Sequence, residues 1–456
     1  MILLTTTATD AGWPDVAQAV EVLALGGGYN TSLVMIGVAL YGLAAGVVGS
    51  FAVLRRRAMM SDTLSHATLP GIALAFIVAT ALGGEGRSLP VLLAGAALAG
   101  VAGVGAVHVM SRYTRLPEDA AMGAVLSVFF GLGFVLLSYI QTLGTGAEGG
   151  IQKFIYGQTA AMSTADAILI GVVGTVSLLA VAALFKELRL VCFDPQFADV
   201  QGWPVGAIDL ALMALVVVVT VIGLQAVGLI LVIALIVIPP ATARLWTDRL
   251  GRMVALAAAF GAVSGYTGAA LSALMPRFPA GGVIVLVAGA LFFASFLLSP
   301  RHGLLSGALR HLRLSLDIES QHVLRRVFET AESGVNTVGM DTFPLSRLAL
   351  TRAWSAPRRR AVIAHLTWLG LVRAADGEHV LTKAGVAEAQ RLTRNHRLWE
   401  LFLINNADLA PSHVHRSADL VEHVLDGEIV RRLEEELARS GRLPGNRSVP
   451  MSAHPV

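Results

Sequence analysis

Asp62 and His66 stand four residues apart in a stretch with no other ionisable side chain from Ala58 to Leu82, so on a helix they share one face. A carboxylate oxygen beside an imidazole nitrogen suits a borderline divalent cation such as Mn, Zn or Fe(II). An ionisable residue within an apolar span is costly enough that a functional role is the default reading. On these two residues alone a plainer reading stays open, in which Asp62 caps a helix and His66 packs against a neighbour. A second group lies near the C-terminus. His396 and Glu400 are spaced i,i+4, as are His415 and Asp419, while Asp419 pairs with Glu422 at i+3 and with His423 at i+4. Such spacings bring side chains together on a helix. These six groups either decorate solvated helix faces or converge on metal ions. The single cysteine, Cys192, excludes a disulfide framework within one chain and any Cys-rich metal site.

The elements that must carry these residues are legible from composition. The 456-residue chain is 55% hydrophobic and only 14% charged, against about a quarter charged for a soluble domain. Residues 1–300 hold 13 of the 34 Lys and Arg and 14 of the 31 acids, so residues 301–456 are net +4. Apolar runs of about 20 residues, the length a helix needs to cross a bilayer core, fall near 33–54, 60–82, 89–110, 120–140, 166–185, 208–224, 226–243, 252–274 and 281–298. The sixth and seventh share one long apolar stretch, which the sequence divides around Gly223-Leu224-Gln225. Small-residue spacings at Gly42/Gly46 and Gly261/Gly265 permit close helix packing.

Loop charge sets the expected orientation. Arg55, Arg56, Arg57, Arg112, Arg115, Lys186, Arg189, Arg244, Arg249 and Arg252 fall on one side by alternation, and only Arg87, Lys153 and Arg277 on the other. The first side reads as cytoplasmic, which places the N-terminus outside and residues 301–456 inside. The first 30 residues lack a basic n-region, so no cleaved signal peptide is expected. Residues 14–25 read as a short helix at the outer surface.

The segment Arg55-Arg56-Arg57-Ala58-Met59-Met60-Ser61-Asp62-Thr63-Leu64-Ser65-His66-Ala67-Thr68-Leu69-Pro70-Gly71 resembles the signature of the permease family of zinc, manganese and iron ABC importers. Leu224-Gln225-Ala226-Val227-Gly228-Leu229-Ile230-Leu231, followed by Ile238-Pro239-Pro240-Ala241-Thr242-Ala243-Arg244, resembles a second, late motif of that family, with Pro240 in place of an alanine. The resemblance covers roughly residues 30–300. It implies a metal path through Asp62 and His66. It also implies a cytoplasmic segment resting on the ATPase, with Asp194, Pro195, Phe197 and Gly202 as its contact residues. A Walker A loop needs Gly-Lys-Ser/Thr to cradle phosphates, and none of Lys153, Lys186 and Lys383, the three lysines, follows a glycine. The expected partners are therefore a separate ABC ATPase subunit, an extracytoplasmic metal-binding protein and a second permease copy or paralogue. The chain itself is not read as an enzyme, and no organic cofactor is expected.

Residues 301–456 have a second pattern. A helical stretch over 321–333 ends at Gly334, and a short helix is expected over 344–350 with a turn near Trp354-Ser355. Another helix begins at Ala356-Pro357, with proline suitably placed in the first turn. A turn at Ala375-Asp376-Gly377-Glu378 joins two short strands, and a further helix opens at Lys383. This order reads as a winged helix. The sequence from Arg394 to Phe402, with Val414-His415 and Ala418-Asp419 through Glu422-His423, resembles the metal-binding and dimerisation domain of the diphtheria-toxin-repressor family. That resemblance implies one site from His396, Glu400 and His415. It implies another from Asp419, Glu422 and His423, with His322 as a further ligand. Asp419 stands where iron-responsive members have cysteine and manganese-responsive ones a carboxylate, and an all-oxygen-and-nitrogen set favours Mn(II).

Arg358, Arg359 and Arg360 open the helix that would read DNA in a winged helix. That family often has small hydroxyl residues there, which argues against sequence-specific readout. The expected fold is thus an all-α polytopic membrane protein of about nine transmembrane helices with a C-terminal winged-helix and helical metal-binding/dimerisation domain. Its divisions are 1–32 extracytoplasmic, 33–300 transmembrane, 301–316 linker, 317–390 winged helix and 391–456 metal-binding and dimerisation. The expected function is a permease of a divalent-metal ABC importer in the bacterial inner membrane, manganese first and zinc or iron next, with a cytoplasmic metal-sensing tail. The alternative is a membrane-tethered, metal-dependent DNA-binding regulator combined with a permease.

Overall fold

A computed structural model describes residues 16–55, 59–83, 88–142, 159, 162–275, 278–332, 356–375, 377–406 and 427–439. It divides into two compact units, Met1–Gly307 and Ala308–Val456. Among the described residues nine helices are long and apolar enough to cross a membrane. A short helix α1 (Val16–Leu23) precedes α2 (Tyr29–Leu54), α3 (Met60–Ala81), α4 (Leu89–Tyr113), α5 (Glu118–Thr142) and α6 (Thr164–Ala183). Two short helices, α7 (Phe185–Phe193) and α8 (Pro195–Val200), lead to α9 (Val205–Val227), α10 (Leu229–Trp246), α11 (Leu250–Leu274) and α12 (Ala280–Leu298). Each expected span is present, with ends moved by a few residues.

The division between the sixth and seventh spans is the exception. The chain breaks at Gly228, which has φ +87° and closes α9 while opening α10. That conformation costs glycine nothing and an L side chain a great deal. Gly223, the expected break, serves packing instead, because a Cβ there would run into the Tyr41 ring.

Helices in an apolar solvent gain little from burying one another's apolar faces, so backbone proximity and van der Waals contact hold them. The two glycine pairs noted in the sequence do this against each other. A Cβ on Gly42 would strike the carbonyl of Gly261, and one on Gly261 the carbonyl of Gly42. Gly46 meets Ala257 and Gly265 meets Val38 in the same way, so α2 and α11 form one seam. Gly71 and Gly95 join α3 to α4 likewise, and Gly133 of α5 lets Leu69 and Pro70 of α3 come close.

The second unit begins within a long helix, α13 (Leu304–Glu332). The expected 301–316 linker is therefore helical from Leu304, since Gly307 is followed by a periodic run with neither proline nor a further glycine to stop it. Helix α14 (Ala356–Trp368), strands β1 (Val372–Ala375) and β2 (Glu378–Leu381), α15 (Lys383–Asn406) and α16 (Gly427–Arg439) follow. The strands pair antiparallel from Val372↔Leu381 to Ala375↔Glu378, with Gly377 in the turn at φ +77°. Val323, Leu324, Val327 and Phe328 of α13 meet Val362 and Leu366 of α14, Val372, Leu381 and Ala389 in one core. Helix α15 is continuous across residue 390, where the sequence suggested a domain boundary. The expected helix over 344–350, the turn near Trp354, and Arg56, Arg57, Arg87, Lys153 and Arg277 lie outside the described residues.

The glycine seam generates a direct test. Gly42→Leu or Gly261→Leu should lower stability by about 1–3 kcal/mol or more, the ordinary cost of overpacking, because the colliding atoms are backbone. Gly289→Ala, where nothing lies within 4 Å of the added carbon, should leave the melt unchanged. Circular-dichroism melts of the detergent-purified chain check this, and three equal midpoints would remove the seam from the account.

Candidate functional site

Helix α3 starts at Met60, placing Asp62 in its first turn and His66 one turn later. His66 Nε2 lies 3.4 Å from Asp62 Oδ1, with both side chains partly exposed. The His66 ring meets Phe130 of α5 edge-on, with centroids 4.9 Å apart and planes at 84°. Its Nδ1 is buried and has no hydrogen-bond partner among the described residues, an expensive condition for a polar atom in apolar surroundings. An imidazole with one nitrogen beside a carboxylate and the other unsatisfied fits a ligand-binding side chain better than a packed one. Glycine contacts bring α3 close to α4 and α5 about one to two turns further along. Among the described residues no group of three His, Cys, Asp or Glu is assembled to hold a metal. Among the described residues Asp62 and His66 thus stand as a pair.

A surface corner carries the residues expected to touch an ATPase. Asp194 caps α8 by accepting a hydrogen bond from the Phe197 backbone N–H at 2.9 Å, and Pro195 opens that helix. Gly202, at φ +83°, lets the chain turn towards α9. Phe193, Phe197, Val200 and Trp203 stand exposed around this corner, Val200 at 87%. Sequence reading missed what ties the corner to the bundle. Arg55, at the end of α2, donates to Asp209 Oδ2 of α9 at 2.5 Å and to the Val191 carbonyl of α7 at 3.0 Å. An acid within the apolar run 205–227 was the available signal for Asp209.

In the second unit His396 and Glu400 come together on α15, each at most 2% exposed. His396 Nε2 lies 3.0 Å from Glu400 Oε1. Its Nδ1 lies 2.8 Å from Nη1 of Arg325 on α13, a residue the sequence reading did not single out. Guanidinium only donates, so Nδ1 accepts and Nε2 carries the proton given to Glu400. A metal needs an imidazole lone pair, and in this arrangement neither nitrogen offers one, so the pair as placed does not fit a divalent ion. Arg325 also lies 3.5 Å from Glu329, and the buried Arg397 reaches Glu332 at 2.5 Å. His322 is half-buried on α13, one turn before Arg325. His415, Asp419, Glu422 and His423 lie outside the described residues.

The arginines at the start of α14 divide. Arg358 pairs with Glu319 and donates to Ser315 Oγ at 2.9 Å. The hydrogen bond that Arg358 donates to the Glu319 carboxylate, aided by that carboxylate's charge, holds the guanidinium above its ordinary pKa. Arg359 and Arg360 are exposed. His365, a turn and a half further on, reaches Asp317 at 2.7 Å.

Comparison with known proteins gives two family matches. The ABC 3 transport family matches residues 29–299, and the iron dependent repressor, metal binding and dimerisation domain matches residues 382–450. The manganese transport system membrane protein MntC of Bacillus subtilis is 35% identical over 430 residues, covering 93% of this chain and 95% of that protein. The zinc transport system membrane protein TroC of Treponema pallidum is 43% identical over 288 residues, 63% of this chain and 95% of that one. Among solved structures, PsaBC from Streptococcus pneumoniae in complex with Fab matches with a TM-score of 0.54 and 29% identity, covering 63% of this chain and 98% of that one.

Proposed function

Because the chain belongs to the ABC 3 transport family, we propose that it is the permease of an ATP-driven importer of divalent transition metals, manganese first and zinc or iron(II) next. The Asp62–His66 pair on α3, with the orphaned Nδ1 of His66, is the observation that carries the reading. A divalent ion is the substrate. Asp62 supplies negative charge and oxygen, and His66 supplies nitrogen, so a partly dehydrated ion exchanges water for protein donors along the path. Manganese comes first because a relative matched over 93% of this chain is a manganese transport protein and because the tail's candidate ligands are all oxygen and nitrogen.

Transport needs work that this chain does not supply, since no lysine follows a glycine to make a Walker A loop. A separate ATPase subunit docks on the corner of Asp194, Pro195, Phe197 and Gly202, where exposed apolar side chains await a partner. Arg55 links that corner to α2 and α9, so a push on α7 and α8 reaches the spans directly. An extracytoplasmic protein delivers the ion, and a second permease copy or paralogue completes the pathway. Residues 301–456 lie in the cytoplasm by the loop-charge rule. There the tail senses the delivered metal through Asp419, Glu422 and His423, with His322. The DNA-binding alternative is not adopted, because Arg358 is engaged by Glu319 within the tail.

Losing a partner of a metal ligand costs roughly 10–100-fold in affinity, and loss of the ligand itself should cost at least about that. Asp62→Asn and His66→Ala should therefore abolish ATP-dependent Mn(II) uptake in proteoliposomes while the protein still inserts and binds its ATPase. Normal uptake by both variants would remove the pair from the path.

Sensing makes a separate prediction. A coupling of roughly 1–3 kcal/mol is typical of allostery, so Mn(II) preloaded inside the vesicles should slow uptake several-fold. Asp419→Ala/His423→Ala should weaken that inhibition. Equal responses to internal metal in the two proteins would mean that the tail is no feedback sensor.

A further inference from the structure

The second unit contains a charged cluster where a water-soluble domain normally places apolar side chains. Arg325 and Arg397 are 7% and 2% exposed, His396 and Glu400 at most 2%, and Glu329 9%. Buried charge on this scale is tolerated only when it is paired and hydrogen-bonded. Arg325 provides the positive charge at its centre. Its Nη1 donates to His396 Nδ1 at 2.8 Å, and its Nε faces Glu329 at 3.5 Å. His396 passes the connection on to Glu400 at 3.0 Å.

From this geometry we infer that Arg325 is a built-in cation that takes the place of a metal ion at the His396–Glu400 pair. The guanidinium meets the same demands an ion would meet there. It satisfies an imidazole nitrogen, it neutralises nearby carboxylates, and it fastens α13 to α15. Unlike an ion, it cannot dissociate, and arginine stays protonated throughout the pH range of a cell. The clamp between these helices is therefore permanent and independent of metal supply. Its consequence is a division of labour within the tail. The His396–Glu400 pair is structural, and any metal response belongs to a different set of residues. The inference rests on the tail's likeness to a metal-binding domain and not on its proposed sensing role.

Counting bound Mn(II) by equilibrium dialysis of the full-length chain in lipid nanodiscs tests it. Wild type and His396→Gln should bind the same number of ions. Arg325→Ala should bind one more than wild type, and Arg325→Ala/His396→Gln should lose that extra ion. If His396→Gln binds one ion fewer than wild type, metal displaces the guanidinium and the inference fails. A folded Arg325→Ala chain that gains no ion contradicts it equally, since the arginine would then occupy no metal position. Should Arg325→Ala not fold, the comparison of wild type with His396→Gln decides alone. Asp419→Ala/His423→Ala, counted in parallel, separates this question from sensing. An unchanged count in that variant defeats the sensing reading while leaving the arginine's role intact.

Discussion

The cost of placing an ionisable group among apolar helices governs this molecule. Asp62 and His66 are the ionisable residues of a span otherwise built from apolar and hydroxyl side chains, and each is expensive there unless a charge or ligand compensates it. Compensation depends on holding the pair where an ion can reach it. Gly71 against Gly95 and Gly133 against Leu69-Pro70 bring α4 and α5 close enough to fix α3. The close seam between α2 and α11 gives the bundle a second close-packed element. Small residues thus do for position what the two polar residues do for chemistry.

The same physics takes another form in the second unit. Arg325, Glu329, His396 and Glu400 are buried together, and each is tolerable only in the presence of the others. In the membrane unit the charge balance is left incomplete, as the unpartnered His66 Nδ1 records. In the tail the balance is closed from within by arginine. Two histidine–carboxylate pairs with the same i,i+4 spacing thus have different surroundings.

Much of this was legible in the sequence, and what escaped has physical reasons. Span number and approximate limits follow from run length alone, because a bilayer core sets the length of an apolar helix. The break at Gly228 was placed a few residues early, around Gly223-Leu224-Gln225, because glycine marks both turns and close contacts, and only the packing of Tyr41 against Gly223 tells them apart. The helical continuity of residues 304–332 was read as a linker followed by a helix, since its first half has no core to reveal it. Asp62 and His66 were singled out by residue type and spacing, and the structure adds only that they lie 3.4 Å apart on one helix. Arg55 with Asp209, and Arg325 with His396, are separated by 154 and 71 residues. No local pattern connects such partners.

The central claim is that a transported ion is held by Asp62 and His66, and spectroscopy on the ion itself tests it most directly. Mn(II) bound to the assembled permease in nanodiscs, with Asp419→Ala/His423→Ala introduced to silence the tail, can be examined by pulsed electron paramagnetic resonance. The account predicts modulation from a single directly bound imidazole nitrogen, lost when His66 is replaced by alanine. A bound ion surrounded only by oxygen donors, or nitrogen coupling that survives that replacement, would contradict it.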